Sequence, residues 1–238
     1  ERFLVHAEQY LEILRDVLRS SSDPEQRAMA ALVVGYAPEK RAVIDDLAYA
    51  VRDPDEDVRN NAARALAAIA TLARREPELG LRVPAAPFVE MLNSLSWSDR
   101  NKANMVLFVL TEDGKAEVLQ QLREQALESL VEMARWKAEG HAFIPFVLLG
   151  RAARMTDQEM FEAWFGGERK PFIERAIESI RAGAEARPRL QAALRRLEYQ
   201  PGDGTVPLIP RSGTPGLNEV GTRRERGRVA EESEVTRW

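Results

Sequence analysis

The fold is set by residues 53–69, which read DPDEDVRNNAARALAAI. An acidic turn with a proline leads into a segment in which Val58, Ala62, Leu66 and Ile69 recur at intervals of three and four. This spacing places the apolar side chains on one face of an α-helix. The stretch therefore predicts a turn followed by a helix with a buried seam of alanine and leucine.

Weaker copies of this stretch lie on both sides of it. A shift of 32 residues places Arg27 on Arg59, and a shift of 41 residues places Arg100 on Arg59. The longer second shift reflects an insertion at residues 76–84. Repeats of roughly 30 to 45 residues with two helices each are the signature of an α-solenoid.

Helical periodicity continues beyond these copies. It predicts further helix pairs over about 88–110, 115–154 and 157–180, and a last short helix over 190–197. We therefore predict an all-α fold, an α-solenoid of about five stacked antiparallel helix pairs, in a domain that covers residues 2–198.

The composition changes at the end of this domain. Residues 200–238 contain six glycines and four prolines but few large apolar side chains. Such a segment buries too little surface to offset the loss of chain entropy on folding. We predict a disordered tail over residues 199–238.

The composition also narrows the possible functions. A count of 34 basic and 38 acidic residues gives a net charge of −4, which argues against a chain dedicated to nucleic acid. The chain has no cysteine and two distant histidines, so we predict no metal site and no cofactor. No apolar run approaches the roughly 18 residues of a membrane span. The sequence begins at Glu1 rather than methionine, and its compartment is left open.

The stretch at residues 53–69 resembles the HEAT-repeat family, and more specifically the short HEAT-like repeats named after phycobilisome lyases. The likeness is good over residues 20–75 and extends to about residue 112. It rests on Asp53-Pro54, Val58-Arg59, Ala62-Ala63 and Ala65-Leu66, and in the preceding unit on Asp23-Pro24, Arg27, Ala30-Ala31 and Val34-Gly35. The resemblance implies that Arg59 and either Asp55 or Asp57 join polar ladders between repeats.

The resemblance also implies a binding surface. In the family the second helix of each pair lines the concave face, so its side chains that point away from the seam are candidates for contact with a partner. These candidates are Asn60, Asn61, Arg64, Asn101, Lys102, Met105 and Phe108. Polar amides beside apolar anchors suit a protein or peptide ligand.

The leading hypothesis is a non-catalytic scaffold that binds a protein or peptide, of unknown identity, on this concave face. No catalytic residue is assigned. Two alternatives stay open: a HEAT-like enzyme or accessory protein (DNA glycosylase-like or chromophore lyase-like), and one module of a longer chain whose function lies upstream. Ser96-Trp97-Ser98-Asp99, with Trp136, is faintly similar to the tryptophans and aspartate of HEAT-like DNA glycosylases. The simpler interpretation is that Trp97 packs in a turn and Asp99 caps the next helix.

Overall fold

The computed structural model describes residues 2–198, with side chains described for residues 2–186 and Pro188. This part of the chain is helical and contains no strand. Its helices are α1 (Arg2–Gln9), α2 (Leu11–Ser20), α3 (Pro24–Val34), α4 (Lys40–Ala50), α5 (Glu56–Arg75), a 3-10 turn (Pro77–Leu79), α6 (Ala86–Met91), α7 (Trp97–Leu110), α8 (Ala116–Gln125), α9 (Leu127–Ala134), α10 (Glu139–Ala152), α11 (Asp157–Phe165) and α12 (Arg169–Glu198).

One compact unit extends over Glu1–Leu194, and a second begins at Arg195. The predicted disordered tail lies outside the described residues. Within residues 2–198, no helix is both long and apolar enough to cross a membrane.

The helices of the compact unit Glu1–Leu194 stack in two layers, one of first helices and one of second helices of the successive pairs. The second helices form one continuous layer in which α3 contacts α5, α5 contacts α7, and α7 contacts α10. Each packs on its own first helix: α2 on α3, α4 on α5, α6 on α7, and α9 on α10. The last two helices, α11 and α12, follow as the fifth pair, and Trp164 and Phe172 on them both contact the ring of Phe146 in α10. The predicted all-α solenoid is confirmed.

The turn chemistry explains where the second helices begin. Asp23 caps α3 by accepting from the backbone N–H of Glu25 at 2.9 Å, and Pro24 occupies the first turn. Asp55 caps α5 by accepting from the N–H groups of Asp57 and Val58. Such caps satisfy amide donors that have no partner within the helix. Asp55 is therefore the counterpart of Asp23, and the Asp53-Pro54 pair lies two residues further upstream.

The predicted seam is the core of the solenoid. Val58, Ala62 and Leu66 are completely buried, and Ile69 is nearly so. Burial of each large apolar side chain contributes about 1.5–3 kcal/mol. The seam holds α5 against its neighbours in both layers.

The fourth unit differs from the prediction. The first helix predicted from about residue 115 is interrupted at Ala126, where φ is −135°, and forms α8 and α9. The interruption lets α8 pack against α6 while α9 packs against α10. The separate helix predicted over 190–197 is instead the end of α12, which continues through Pro188.

Candidate binding face

An arginine near the start of each of three second helices forms an ion pair with a carboxylate of the following unit. The pairs are Arg27 with Asp53 (2.8 Å), Arg59 with Asp99 (3.0 Å) and Arg100 with Glu132 (2.9 Å). Because each bond joins one repeat to the next, these residues stabilise the stack. We call these three pairs the arginine ladder.

The predicted ladder role of Arg59 is present, but its carboxylate partner differs from the expectation. Asp55 is occupied as the cap of α5, and Asp57 is exposed at the first turn of that helix. The guanidinium of Arg59 instead bonds the Asp99 carboxylate and donates to the backbone carbonyl of Asp53 at 2.9 Å. Asp99 belongs to the next helix pair. The insertion at residues 76–84 separates that pair from Arg59 in the sequence.

Burial and hydrogen bonding oppose each other at Asp53. Burial alone would raise the pKa of the Asp53 carboxyl, but hydrogen bonds from Arg27 and from the N–H of Asp55 outweigh it and lower the pKa. At Glu132, the hydrogen bond from Arg100 is the main cause of a lowered pKa. Asp53 and Glu132 thus favour the charged form at neutral pH.

The seven candidate residues lie on α5 and α7. Arg64 and Met105 are exposed, and the other five are partly buried. Asn60 donates to the hydroxyl of Ser98 at 3.3 Å, and Asn61 donates to the backbone carbonyl of Ala28 at 2.9 Å. Both amides therefore bridge neighbouring units, which leaves the side chains of Arg64 and Met105 as the more accessible of the set.

Arg64 and Lys102 bring two positive charges together across α5 and α7. The Nε of Arg64 donates to the side-chain oxygen of Asn60 at 3.0 Å. Burial, and secondly the charge of Arg64, lower the pKa of Lys102. Among the described residues, no carboxylate lies within ion-pairing distance of either cation. We call these two side chains the cation pair.

A recess of about 230 Å³ opens beside Phe108. Its walls come from α7, α10 and α11: Phe108, Glu112, Phe143, Val147, Arg151, Asp157, Met160 and Phe161. We call it the aromatic recess. Except for Phe108, sequence reasoning missed these residues. The spacing of aromatic residues at 143, 161 and 165 was the available signal, but it does not reveal that three helices converge.

Arg151 is fixed at the edge of the aromatic recess. It donates to the backbone carbonyl of Phe108 at 2.7 Å and to the hydroxyl of Thr111 at 3.0 Å. Its guanidinium lies 4.6 Å from the centre of the Phe108 ring, a distance typical of a cation–π contact. Burial lowers the pKa of Arg151.

The residues that resemble a glycosylase site have structural partners. Trp97 is half-exposed and meets the ring of His141 edge-on at 4.9 Å. Asp99 is buried and accepts from Ser94 at 2.7 Å as well as from Arg59. The expectation that Asp99 caps α7 is wrong, because the cap position is Ser96 and Asp99 points to the preceding repeat.

A second, larger groove of about 690 Å³ lies between α9 and α12. Leu127, Val131 and Ile177 contribute apolar surface, and four glutamates and two arginines complete its lining. None of the seven candidate residues takes part. Within residues 2–198, no group of three potential metal ligands occurs.

Comparison with known proteins identifies the repeats. Residues 11–107 match the family model for HEAT repeats, in agreement with the resemblance noted over residues 20–75. No curated protein matches the chain.

Three solved structures are similar in architecture. An engineered protein shares 21% identity over 73% of this chain and 80% of its own, with a TM-score of 0.46. A designed armadillo repeat protein in complex with the peptide (KR)4 shares 16% identity over 75% and 90%, with a TM-score of 0.45. Computationally designed armadillo repeat proteins for modular peptide recognition share 16% identity over 75% and 90%, with a TM-score of 0.47.

Proposed function

We propose that this protein is a non-catalytic interaction scaffold that binds a protein or peptide along the exposed, concave face of its second helices. Stacked repeats offer a long, preformed surface, so a partner binds with little loss of conformational freedom in the scaffold. The proposal concerns the face that carries Arg64, Lys102, Met105 and Phe108.

One contrast between residues carries this proposal. Arg59 and Arg100 form ion pairs with the next repeat, whereas Arg64 and Lys102, on the same two helices, have no carboxylate partner among the described residues. Met105, with 43% of its surface exposed, lies beside the cation pair on α7. Arginine and methionine, the two accessible residues here, are enriched at protein interfaces relative to the rest of the surface.

The glycosylase-like alternative would require Asp99 to act on a substrate. That carboxylate is 5% exposed and holds Arg59 and Ser94. It serves the arginine ladder, and we assign it no catalytic role.

The proposal is tested with two matched double variants of the full chain. Arg64→Ala with Met105→Ala removes the accessible side chains of the concave face, while Asp45→Ala with Glu117→Ala alters exposed residues of the first helices α4 and α8. Asn61 is left unchanged because its amide holds the neighbouring repeat. Proteins that co-purify with each variant are compared by quantitative mass spectrometry.

A photo-reactive amino acid at position 105, with one at position 117 as control, then locates the contact. We expect partners that the concave variant loses and the control keeps, and these should cross-link at position 105 alone. Equal recovery by both variants, or equal cross-linking at both positions, would overturn the proposal.

A further inference from the structure

The chemistry of the concave face indicates which kind of segment it binds. The cation pair supplies two neighbouring positive charges that the described residues do not neutralise. Like charges held together repel each other, and a partner carboxylate placed between them would relieve that repulsion. An anionic group is therefore the complement of this part of the surface.

The aromatic recess supplies a second point of recognition. Phe108, Phe143 and Phe161 give it apolar walls, and the Arg151 guanidinium is already bonded to Phe108 and Thr111. Its volume of about 230 Å³ is below the roughly 300–1,000 Å³ of a small-molecule site. A recess of this size and polarity suits one large apolar side chain.

The geometry of α7 links the two points. Lys102, Met105 and Phe108 are three residues apart, so each is next to the following one on the helix surface. The row turns by about 120° around the helix axis between Lys102 and Phe108. At a rise of about 1.5 Å per residue, Lys102 and Phe108 are separated by about 9 Å along the helix axis. Because the turn around the axis adds to this distance, an extended peptide needs at least about three residues to span it.

We infer that the concave face binds an acidic peptide segment in which a carboxylate precedes or follows a large apolar side chain by at least about three residues. The peptide carboxylate lies between Arg64 and Lys102, and the apolar side chain of the peptide enters the aromatic recess. Met105 packs against the part of the peptide between these two groups. This inference rests on the proposed function and adds the chemical class of the partner. Nucleic acid fits the surface less well, because Glu112 and Asp157 line the recess and would repel phosphates.

The test begins with selection of random displayed peptides on the full chain. We expect the selected peptides to share an acidic residue and an aromatic or large aliphatic residue at the stated spacing. Selection of basic peptides, or of none, would overturn the inference. A homopolymeric single-stranded DNA that binds more tightly than the best acidic peptide would also overturn it.

Charge reversal identifies the role of the cation pair. Arg64→Glu should weaken the best acidic peptide by about tenfold or more, equivalent to about 1.4 kcal/mol, and a peptide with lysine in place of its acidic residue should recover part of the loss. Arg75→Glu, an exposed change at the end of the same helix, should leave the affinity unchanged. Equal effects of the two variants would contradict the inference.

Two phenylalanines of α11 provide the matched test of the recess. Phe161 lines the recess and is 51% exposed, whereas Phe165 is 77% exposed and outside the lining. Phe161→Ser should weaken the selected peptide and Phe165→Ser should not, with melting temperatures confirming that both variants fold. If position 105 cross-links a partner but these peptide experiments fail, only the chemical assignment is wrong; if that cross-link is absent, the proposed function is wrong.

Discussion

At the scale of single residues, position within the repeat decides what an arginine does. Arg27, Arg59 and Arg100 occupy equivalent positions, and each is paired with a carboxylate of the next unit. Arg64 is five residues further along α5 than Arg59 and projects to solvent. Because a paired side chain cannot also neutralise a ligand, the ladder arginines serve the fold, whereas Arg64 is available for the binding role that we propose.

The arginine ladder predicts that acid destabilises the protein. A carboxyl group whose pKa is lower in the folded state stabilises the fold above its unfolded pKa of about 4, and this contribution disappears as the pH falls through the folded pKa. Because the pKa values of Asp53 and Glu132 are lowered, these groups should leave stability constant from neutral pH to about pH 5 and reduce it below about pH 4. Urea unfolding at a series of pH values measures this dependence.

The contribution of Asp53 is isolated by Asp53→Asn. Its side chain is 7% exposed, so loss of the charged partner should cost about 1–3 kcal/mol at neutral pH and flatten the acid dependence. Asp45→Asn, an exposed change on α4, should retain the wild-type pH profile. An Asp53→Asn protein with undiminished acid sensitivity would show that the Arg27–Asp53 pair does not carry the effect.

The periodicity of the sequence was sufficient to predict which residues form the buried seam, but it did not predict which carboxylates pair with the ladder arginines. Val58, Leu66 and Ile69 were predictable because helical spacing alone places them on one face. The partner of Arg59 depends on how the insertion at residues 76–84 is accommodated between repeats. The spacing of nearby residues carries no information about that arrangement. The aromatic recess was beyond prediction for a similar reason, since its walls come from three helices whose approach is set by tertiary packing.

At the scale of helices, one close approach stands out between α3 and α5. A Cβ atom at Gly35, just after α3, would lie 2.7 Å from the Cβ of Ala65. That separation is shorter than two carbon atoms tolerate without displacement. The two second helices therefore approach as closely as a glycine opposite an alanine permits.

Gly35→Ala is expected to destabilise the protein by about 1–3 kcal/mol, because the added methyl group meets a side chain that cannot rotate away. Gly140→Ala is the matched control: it lies in α10, and a Cβ there meets no atom within 4 Å. The control should be neutral or stabilising by up to about 1 kcal/mol, since alanine favours the helix. Thermal unfolding of the two variants measures the difference, and equal melting temperatures would contradict the proposed close packing.

At the scale of the whole described domain, stability depends on contacts between neighbouring units. The layer from α3 to α10 is built by successive contacts, each between one second helix and the next. In such arrays, segments with few neighbours open more readily than those packed on both sides. Local opening should therefore vary along the chain.

Native-state hydrogen exchange should show this gradient. Helix α5 contacts α3, α4 and α7, whereas α1 contacts α2 and α3 and exposes all its side chains except that of Ala7. We expect amides in the middle of α5 to exchange at least about tenfold more slowly than those of α1. Equal exchange rates would indicate that the domain opens only as a whole.

The capping pattern has a consequence for engineering this protein. Since Asp23 and Asp55 are equivalent caps, a second copy of residues 24–55 can be inserted directly after Asp55 while preserving every cap. The inserted Arg27 would pair with the inserted Asp53, and Arg59 would keep Asp99. The copied Val33 requires replacement by alanine, because it takes the place of Ala65 opposite Gly35. The copied Asp46 requires an apolar replacement, because its partners Arg15 and Arg19 lie in α2 and are not copied. With these changes, the segment 24–55, which contains α3 and α4, is a transferable module from which longer versions of the domain can be assembled.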